Sequence, residues 1–292
     1  MPALTLRTPD GVQLSARKTG LLHGPVVVLC DGIGCDGYIW RYLRPWLEER
    51  SQVIHFHYRG HGLSAIPEDA STLTVHQCAL DVWTVIDALT ADHRDQPVIL
   101  MGHSMGVQVI LDAAAQHASR VRALVLICGA FERPLDTFQD SDTAAKLLPI
   151  LSGAAFRWSQ GLRDLWRRAV PTEFSYWMAV ATEINGKMIR RDDFLPYLRH
   201  MARMDPLVFV RFLESVAQHS ARTFLPDLPM PALVVAGRRD HFTPERCSRE
   251  MAKLLPMAEL CIVPGGSHTA PLELPELLEL RLADFGRCHQ LW

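Results

Sequence analysis

The stretch PVILMGHSMGVQVILDAAA, residues 97–115, decides the fold. A short apolar run comes first and a helical run follows, with Gly102-His103-Ser104-Met105-Gly106 between them. The pentapeptide alone occurs by chance in glycine-containing turns, so its placement carries the information. A serine that projects from so tight a turn needs small neighbours, because the strand and helix backbones approach closely there. The stretch predicts a strand, a sharp turn that exposes Ser104, and a helix.

Strand-like and helix-like segments alternate on both sides of this stretch. Upstream lie a hairpin over 4–20, the strand VVVLC, a helix over 39–49, the strand QVIHFHY and a helix over 74–93. Downstream lie the strand VRALVLICG and, after residue 223, two more strands that alternate with two helices. Alternation of this kind favours parallel strands with helices on both faces. The predicted class is α/β, with a mostly parallel sheet.

Residues 133–223 break the alternation and are helical, with many aromatic residues and methionines. They predict a helical lid inserted into a core domain made of residues 1–132 and 224–292. Ordinary helical packing remains the alternative interpretation. Of the lid aromatics, Trp158 and Trp177 are predicted to contact substrate.

Composition excludes several classes of protein. The chain has 292 residues, is 48% hydrophobic and carries a formal charge of −2, without a long basic run. A globular fold follows, and no nucleic-acid partner is expected. No segment approaches the roughly 20 apolar residues of a membrane span, and we expect a cytoplasmic protein. The seven cysteines lack the paired spacing of a metal or redox site.

The glycine-rich stretch DGIGCDGYIW, residues 31–40, allows a second hypothesis, a dinucleotide-binding loop. Arg59, at the end of the next strand, is a candidate for holding a 2′-phosphate. Against this hypothesis, Asp31 would place a carboxylate beside the pyrophosphate, and no acidic residue ends the next strand. A lone G-x-G-x-x-G is a weak signal.

A nucleophilic serine needs a base and an orienting carboxylate, which we expect at the ends of other strands. His268 lies in the loop VPGGSHTAPLELPE, just after the last strand, and Asp240 ends the strand VVAG before it. Glu132 is an alternative acid. The order serine, acid, histidine is that of hydrolases whose serine lies on such an elbow.

On the motifs GHSMG, GRRDHFTP and GGSHTAPLELPE the chain resembles the α/β-hydrolase superfamily, in the lidded subgroup that includes many small carboxylesterases. The resemblance implies that Ser104 is the nucleophile, Asp240 the orienting acid and His268 the general base. It also implies that the backbone N–H groups of Ile33 and Met105 form the oxyanion hole. The stretch HYRGHGLS, residues 57–64, resembles a structural turn of the family, with a tyrosine in place of the usual acid.

The expected reaction is hydrolysis of a small to medium hydrophobic carboxylic ester through an acyl-enzyme. No cofactor or metal is implied, and the expected partner is the small-molecule substrate. Thioesterase, amidase, carbon–carbon hydrolase, acyltransferase and perhydrolase activities use the same nucleophile and stay open. So does a non-catalytic ligand receptor. The sequence does not fix the oligomeric state.

Asp31 departs from the family pattern, because relatives have histidine there. A free carboxylate at roughly 8 Å would oppose an oxyanion by about 2 kcal/mol. We therefore expect Asp31 to accept hydrogen bonds from the N–H groups of its own loop, a role that Asp36 could share.

Overall fold

The structure, a computed structural model, describes residues 3–91, 96–138, 141–182 and 184–292. Residues 92–93 of the second predicted helix, and residues 139–140 and 183 of the predicted lid, lie outside the described residues. Eight strands form one sheet: β1 (Leu4–Arg7), β2 (Gln13–Gly20), β3 (Val26–Cys30), β4 (Gln52–Phe56), β5 (Val98–His103), β6 (Val121–Ile127), β7 (Ala232–Gly237) and β8 (Ala258–Val263).

The strands are arranged in the order β1-β2-β4-β3-β5-β6-β7-β8. β2 runs antiparallel to β1 and to β4, and all other neighbours are parallel. The first two strands are the predicted hairpin. The predicted α/β class with a mostly parallel sheet is confirmed.

Helices follow most of the parallel strands. The core carries α1 (Leu43–Glu48), α2 (Val75–Leu89), α3 (Met105–Gln116), α9 (Glu245–Leu254), α10 (Ala270–Glu273) and α11 (Pro275–Cys288). The first helix is shorter than predicted, since a 3-10 turn at Tyr38–Trp40 precedes it. Pro45 falls in the first turn of α1, where a missing N–H costs no helical hydrogen bond.

Both faces of the sheet are buried, as successive residues of β3 show. Val26, Val28 and Cys30 pack into the hydrophobic cluster on one face. Val27 and Leu29 pack into the cluster on the other face. Because side chains alternate across a strand, a strand that is buried on both faces has apolar residues at successive positions of its sequence.

In the described part of the segment between β6 and β7 there are five α-helices: α4 (Thr143–Arg157), α5 (Ser159–Ala169), α6 (Glu173–Thr182), α7 (Arg191–Arg203) and α8 (Pro206–Gln218). The two ends of this segment meet where Glu132 pairs with Ser220 in an isolated antiparallel bridge. Arg222 forms ion pairs with Glu132 and Glu250 at the same place. Among the described residues no helix combines the length and apolar character that crossing a bilayer requires.

The turn at residues 57–64 is held by a buried ion pair. Arg59 is fully buried, and its guanidinium lies 2.7 Å from Asp81 on α2 and 2.8 Å from Asp10. Burial opposes a charge here, but the two carboxylates hold the pKa of Arg59 above its ordinary value. Arg59 is therefore committed to the fold and is not available to a nucleotide phosphate.

At the elbow that carries Ser104, a strand and a helix approach closely. A Cβ atom on Gly106 would lie 2.2 Å from the carbonyl oxygen of Cys30, and one on Gly102 would lie 2.4 Å from that of Gly106. Ser104 has φ 56° and ψ −120°, a conformation that costs a non-glycine residue about 1–3 kcal/mol. The packing of α3 against β3 and β5 holds it there.

We predict that Gly106→Ala destabilises the protein, because its Cβ would displace α3 from the end of β3. The expected loss in the free energy of unfolding is about 3 kcal/mol or more. Gly153→Ala is the matched control, since that glycine lies exposed within α4 and its new Cβ would meet no atom within 4 Å. The control should gain up to about 1 kcal/mol. Thermal unfolding of both variants checks this, and equal stabilities would contradict the account of the elbow.

Candidate active site

Three side chains at the carboxyl end of the sheet form a hydrogen-bonded chain. Ser104 follows β5, Asp240 follows β7 and His268 follows β8. Oγ of Ser104 lies 2.9 Å from Nε2 of His268, and Nδ1 of His268 lies 2.9 Å from Oδ2 of Asp240. A carboxylate only accepts, so the neutral ring carries its proton on Nδ1 and leaves Nε2 to accept from the hydroxyl. The structure thus brings together the three residues that the sequence singled out.

Asp240 is buried and its acceptor positions are filled. Oδ1 accepts hydrogen bonds from the backbone N–H groups of Phe242 and Thr243, both at 2.8 Å. Oδ2 accepts from the hydroxyl of Thr243 at 2.8 Å, in addition to the bond from His268. These bonds fix the carboxylate in place and compensate for its burial.

Glu273 organises the loop that carries His268, and sequence reasoning missed it. This buried carboxylate accepts from the backbone N–H of Ser267 at 2.6 Å and from the hydroxyl of Thr269 at 2.9 Å, one residue to either side of the histidine. It also accepts from the backbone N–H of Asn185 at 2.9 Å, in the segment after α6. The signal in the sequence that could have found it is an acid five residues after the histidine.

His103, next to the serine, supports the same loop. Its Nε2 donates a hydrogen bond to the backbone carbonyl of His268 at 2.8 Å. Burial, with the nearby charge of His268, lowers the pKa of His103 to about 3, so the ring is neutral at physiological pH. This is the packing and hydrogen-bonding role, rather than that of a second base.

Ile33 and Met105, the predicted oxyanion donors, line the same small cavity as Ser104. The loop of Ile33 is held from behind by His61. Nε2 of His61 accepts from the backbone N–H of Gly34 at 3.1 Å, and its Nδ1 lies 3.2 Å from the carbonyl of Arg59. Burial lowers the pKa of His61 to about 4, which keeps Nε2 unprotonated and able to accept.

Asp31 does not form the expected hydrogen bonds with its own loop. Oδ1 accepts from Nε1 of Trp40 at 2.6 Å, and Oδ2 lies 2.9 Å from Nε2 of His55 on β4. Burial raises the pKa of this carboxyl. The charge and hydrogen bond of His55 and the bond from Trp40 lower it by more, so that the pKa lies below its ordinary value. Tyr58, which stands where the turn usually has an acid, donates to the carbonyl of Asp31 at 3.2 Å.

The difference from the expectation lies in which partners are available. Gly34 in the loop has φ 70°, and its N–H is already taken by His61. Trp40 and His55 lie on the other side, where sequence gave no signal because they are nine and twenty-four residues distant. Asp36 is likewise engaged elsewhere, 3.3 Å from Nδ1 of His200 on α7.

The cavity at Ser104 is apolar and holds only about 10 Å³. Its walls on the inserted side are Leu213 and Val216 of α8 together with Pro134, and Phe242 and Thr243 close it from the loop of Asp240. A cavity of that size has room for about one water molecule.

The remaining predicted residues lie at the surface. Trp158, between α4 and α5, is 72% exposed, and Trp177 on α6 is 63% exposed. Trp177 lines a separate cleft with His241 and Ser267, which neighbour the acid and the histidine in sequence. Substrate contact by either tryptophan stays a prediction. Glu132 accepts hydrogen bonds from Arg222 and Ser220, whereas the carboxylate bonded to His268 is that of Asp240.

Known proteins similar to this chain are enzymes or parts of them. The chain is 29% identical, over 96% of its length, to the polyketide synthase ThaQ of Burkholderia thailandensis, of which it spans only 12%. It is 27% identical to the pimeloyl-[acyl-carrier protein] methyl ester esterase of Methylococcus capsulatus, with 80% of this chain and 83% of that protein covered. The structure of a thermophilic esterase from Thermogutta terrifontis superposes with a TM-score of 0.78 at 22% identity, covering 99% of both chains.

The model of the serine aminopeptidase S33 family matches residues 24–275, from the start of β3 to the start of α11. The match includes the serine elbow and the loops of Asp240 and His268. The resemblance seen in the motifs is thereby confirmed. The chain belongs to the serine aminopeptidase S33 family, within the α/β-hydrolase superfamily.

Proposed function

We propose that the protein is a serine esterase that hydrolyses a small to medium hydrophobic carboxylic ester through an acyl-enzyme. The observation that carries the proposal is the hydrogen-bonded chain from Asp240 through His268 to Ser104, with the serine held in a strained conformation at a helix N-terminus. That arrangement supplies a nucleophile, a base and an orienting acid in the geometry that acyl transfer requires.

In acylation, Oγ of Ser104 attacks the ester carbonyl while Nε2 of His268 takes its proton. The imidazolium that forms is stabilised by Asp240, whose other bonds prevent it from turning away. His268 then gives the proton to the leaving alcohol, and the acyl group stays on the serine. Water, deprotonated by the same nitrogen, reverses the sequence and releases the acid.

The tetrahedral oxyanion needs donors, and we assign them to the backbone N–H groups of Ile33 and Met105. Met105 is the first residue of α3, and the first N–H groups of a helix have no intrahelical acceptor. The helix dipole adds positive potential at the same point. Each such donor is worth about 10²–10³ in kcat in related chemistry.

The substrate class follows from the walls of the cavity. Leucine, valine, proline and phenylalanine side chains surround Ser104, which favours an uncharged acyl group. We propose that residues 133–223 act as a lid on the core of residues 1–132 and 224–292, and that α8 admits the acyl chain. One relative by name, the Methylococcus capsulatus protein, acts on a methyl ester, which agrees with ester cleavage.

We predict that Asp240→Asn and His268→Ala each lower kcat on p-nitrophenyl esters by about 10⁴-fold or more, because each leaves the serine without a working base. The double variant should lose little more than His268→Ala alone, since the residues act as one unit. Steady-state kinetics on a series of chain lengths, with a thioester and an amide of the same acyl group, measure this.

Glu132→Gln is the matched control, because it removes the alternative acid at the surface. It should keep kcat within about threefold of the wild type, since the carboxylate of Glu132 is bonded to Ser220 and Arg222 and not to His268. Additive losses in the double variant of Asp240 and His268 would contradict the view that the two residues act as one unit. Faster cleavage of the thioester or the amide than of every ester would reject the esterase assignment while keeping the triad.

We further predict that Asp31 supports catalysis by shaping the oxyanion loop. Asp31→Ala would leave the donors of Trp40 and His55 buried without a partner, at a cost of about 1–3 kcal/mol each. We expect kcat to fall by about 10–100-fold as Ile33 shifts, with little change in KM. Kinetics and thermal unfolding measure the two effects.

Asp31→Asn separates shape from charge. Its amide oxygen can still accept from Trp40, and its amide nitrogen can donate to a neutral His55. This variant should keep most of the activity. If both variants turn over faster than the wild type, the charge opposes catalysis and the loop-shaping role is wrong.

A further inference from the structure

A second, larger cavity lies beside the active site, on the other side of the 31–37 loop. It has a volume of about 510 Å³ and is bounded by β2, β4, the turn at residues 60–66 and the C-terminal end of α7. It shares no lining residue with the cavity at Ser104. Ile33 lines one cavity and Asp36 the other, so the loop forms a common wall. A volume of this size suits a small organic molecule.

Basic side chains dominate the polar part of its walls. Arg17 comes from β2, His57 from the end of β4, and His200 and Arg203 from α7. Neither Arg17 nor Arg203 forms an ion pair within the part of the chain that the structure describes. They approach from two different layers, the sheet and the inserted helices.

The acidic residues of the wall already have cationic or hydrogen-bonding partners. Asp36 lies 3.3 Å from Nδ1 of His200. Asp205 forms an ion pair with Arg163 at 3.0 Å and caps α8 through the backbone N–H of Leu207. The third arginine of the wall, Arg44, forms an ion pair with Glu48 at 2.6 Å, so Arg17 and Arg203 are left as the uncompensated charges of the cavity.

The two histidines add donors. Nδ1 of His57 accepts from the backbone N–H of Leu63 at 3.0 Å, so the neutral ring must carry its proton on Nε2, where it remains a donor. Nε2 of His200 is buried and has no hydrogen-bond partner among the described residues. If Nδ1–H of His200 donates to Asp36, protonation of the His200 ring adds a second N–H at Nε2, the nitrogen without a partner.

The pKa values of the two histidines are lowered by burial and by the neighbouring basic groups. Burial, and then the charges of His55, His200 and Arg17, lower the pKa of His57 to about 4. Burial lowers the pKa of His200 too. Asp36 and Asp31 raise it and Arg203 lowers it, and it lies below its ordinary value. An anion bound in the cavity would oppose these downward shifts, because it favours the charged form of each basic group near it. Within the described residues no cluster of three His, Cys, Asp or Glu side chains is arranged to hold a metal ion.

We propose that this cavity binds an oxyanion, the carboxylate or phosphate group of a small molecule, between Arg17 on the sheet and Arg203 on α7. Both guanidiniums are suited to bidentate pairing with such groups, and His57 supplies a neutral donor beside them. The bound anion would link the inserted helices to the core at the wall formed by the oxyanion loop. It comes either from a free effector or from a charged end of the substrate.

Calorimetric titration with inorganic phosphate tests the site, at constant ionic strength kept with sodium chloride. We expect saturable binding by the wild type and by Ser104→Ala, so that the result does not depend on hydrolysis. In the double variant Arg17→Gln and Arg203→Gln the Kd should rise by about tenfold or more, since two charge-assisted contacts are lost. Arg287→Gln, an exposed arginine on α11 outside the cavity, is the matched control and should leave the Kd unchanged.

Two outcomes would overturn the proposal: no saturable phosphate binding by the wild type, or the same Kd in the double variant. A pair of p-nitrophenyl esters of equal length, one ending in a carboxylate and one in a methyl group, identifies the source of the anion. If the double variant lowers kcat/KM for the charged ester alone, the anion belongs to the substrate. If it leaves the ratio unchanged while phosphate binding is weakened, the anion is a free effector.

Discussion

The backbone contact between α3 and the end of β3 is the constraint on which the rest depends. Gly106 lies against the carbonyl of Cys30 so closely that no side chain fits between them. That contact forces Ser104 out of the ordinary conformations and directs the N-terminus of α3 at its hydroxyl. The same contact places Met105 beside the loop of Ile33. The contact between two backbones therefore positions the proposed nucleophile, the N-terminus of α3 and one proposed oxyanion donor, Met105.

Around this contact, buried charges are placed where every acceptor is satisfied. Asp240 accepts four hydrogen bonds, and Glu273 fixes both neighbours of His268 while holding Asn185 of the inserted segment. Asp31 is tied to Trp40 and His55. Each carboxylate would be costly to bury without these partners. Preorganised in this way, the groups need little rearrangement when charge develops on the substrate.

The sequence predicted the sheet and the three residues of the hydrogen-bonded chain, because glycine spacing and strand ends are local signals. Parallel strands carry their carboxyl ends to one edge, so Ser104, Asp240 and His268 had to meet there. The partners of Asp31 were not predictable. Trp40 and His55 reach it only through the fold, and the local expectation of a loop hydrogen bond was wrong. His61 was missed for the same reason, since its partner, the N–H of Gly34, is 27 residues distant in the sequence. Glu273 is a different case, because its bonds to Ser267 and Thr269 are local and its position after the histidine was a signal that went unused.

The most direct measurement of the central claim is labelling with a small fluorophosphonate, followed by peptide mass spectrometry. The wild type should take up one equivalent of probe on Ser104, while Ser104→Ala takes up none and keeps its thermal stability. A small probe is chosen because the cavity at the serine is narrow. Labelling at another residue, or none in a folded wild type that hydrolyses esters, would contradict the assignment of Ser104 as the nucleophile.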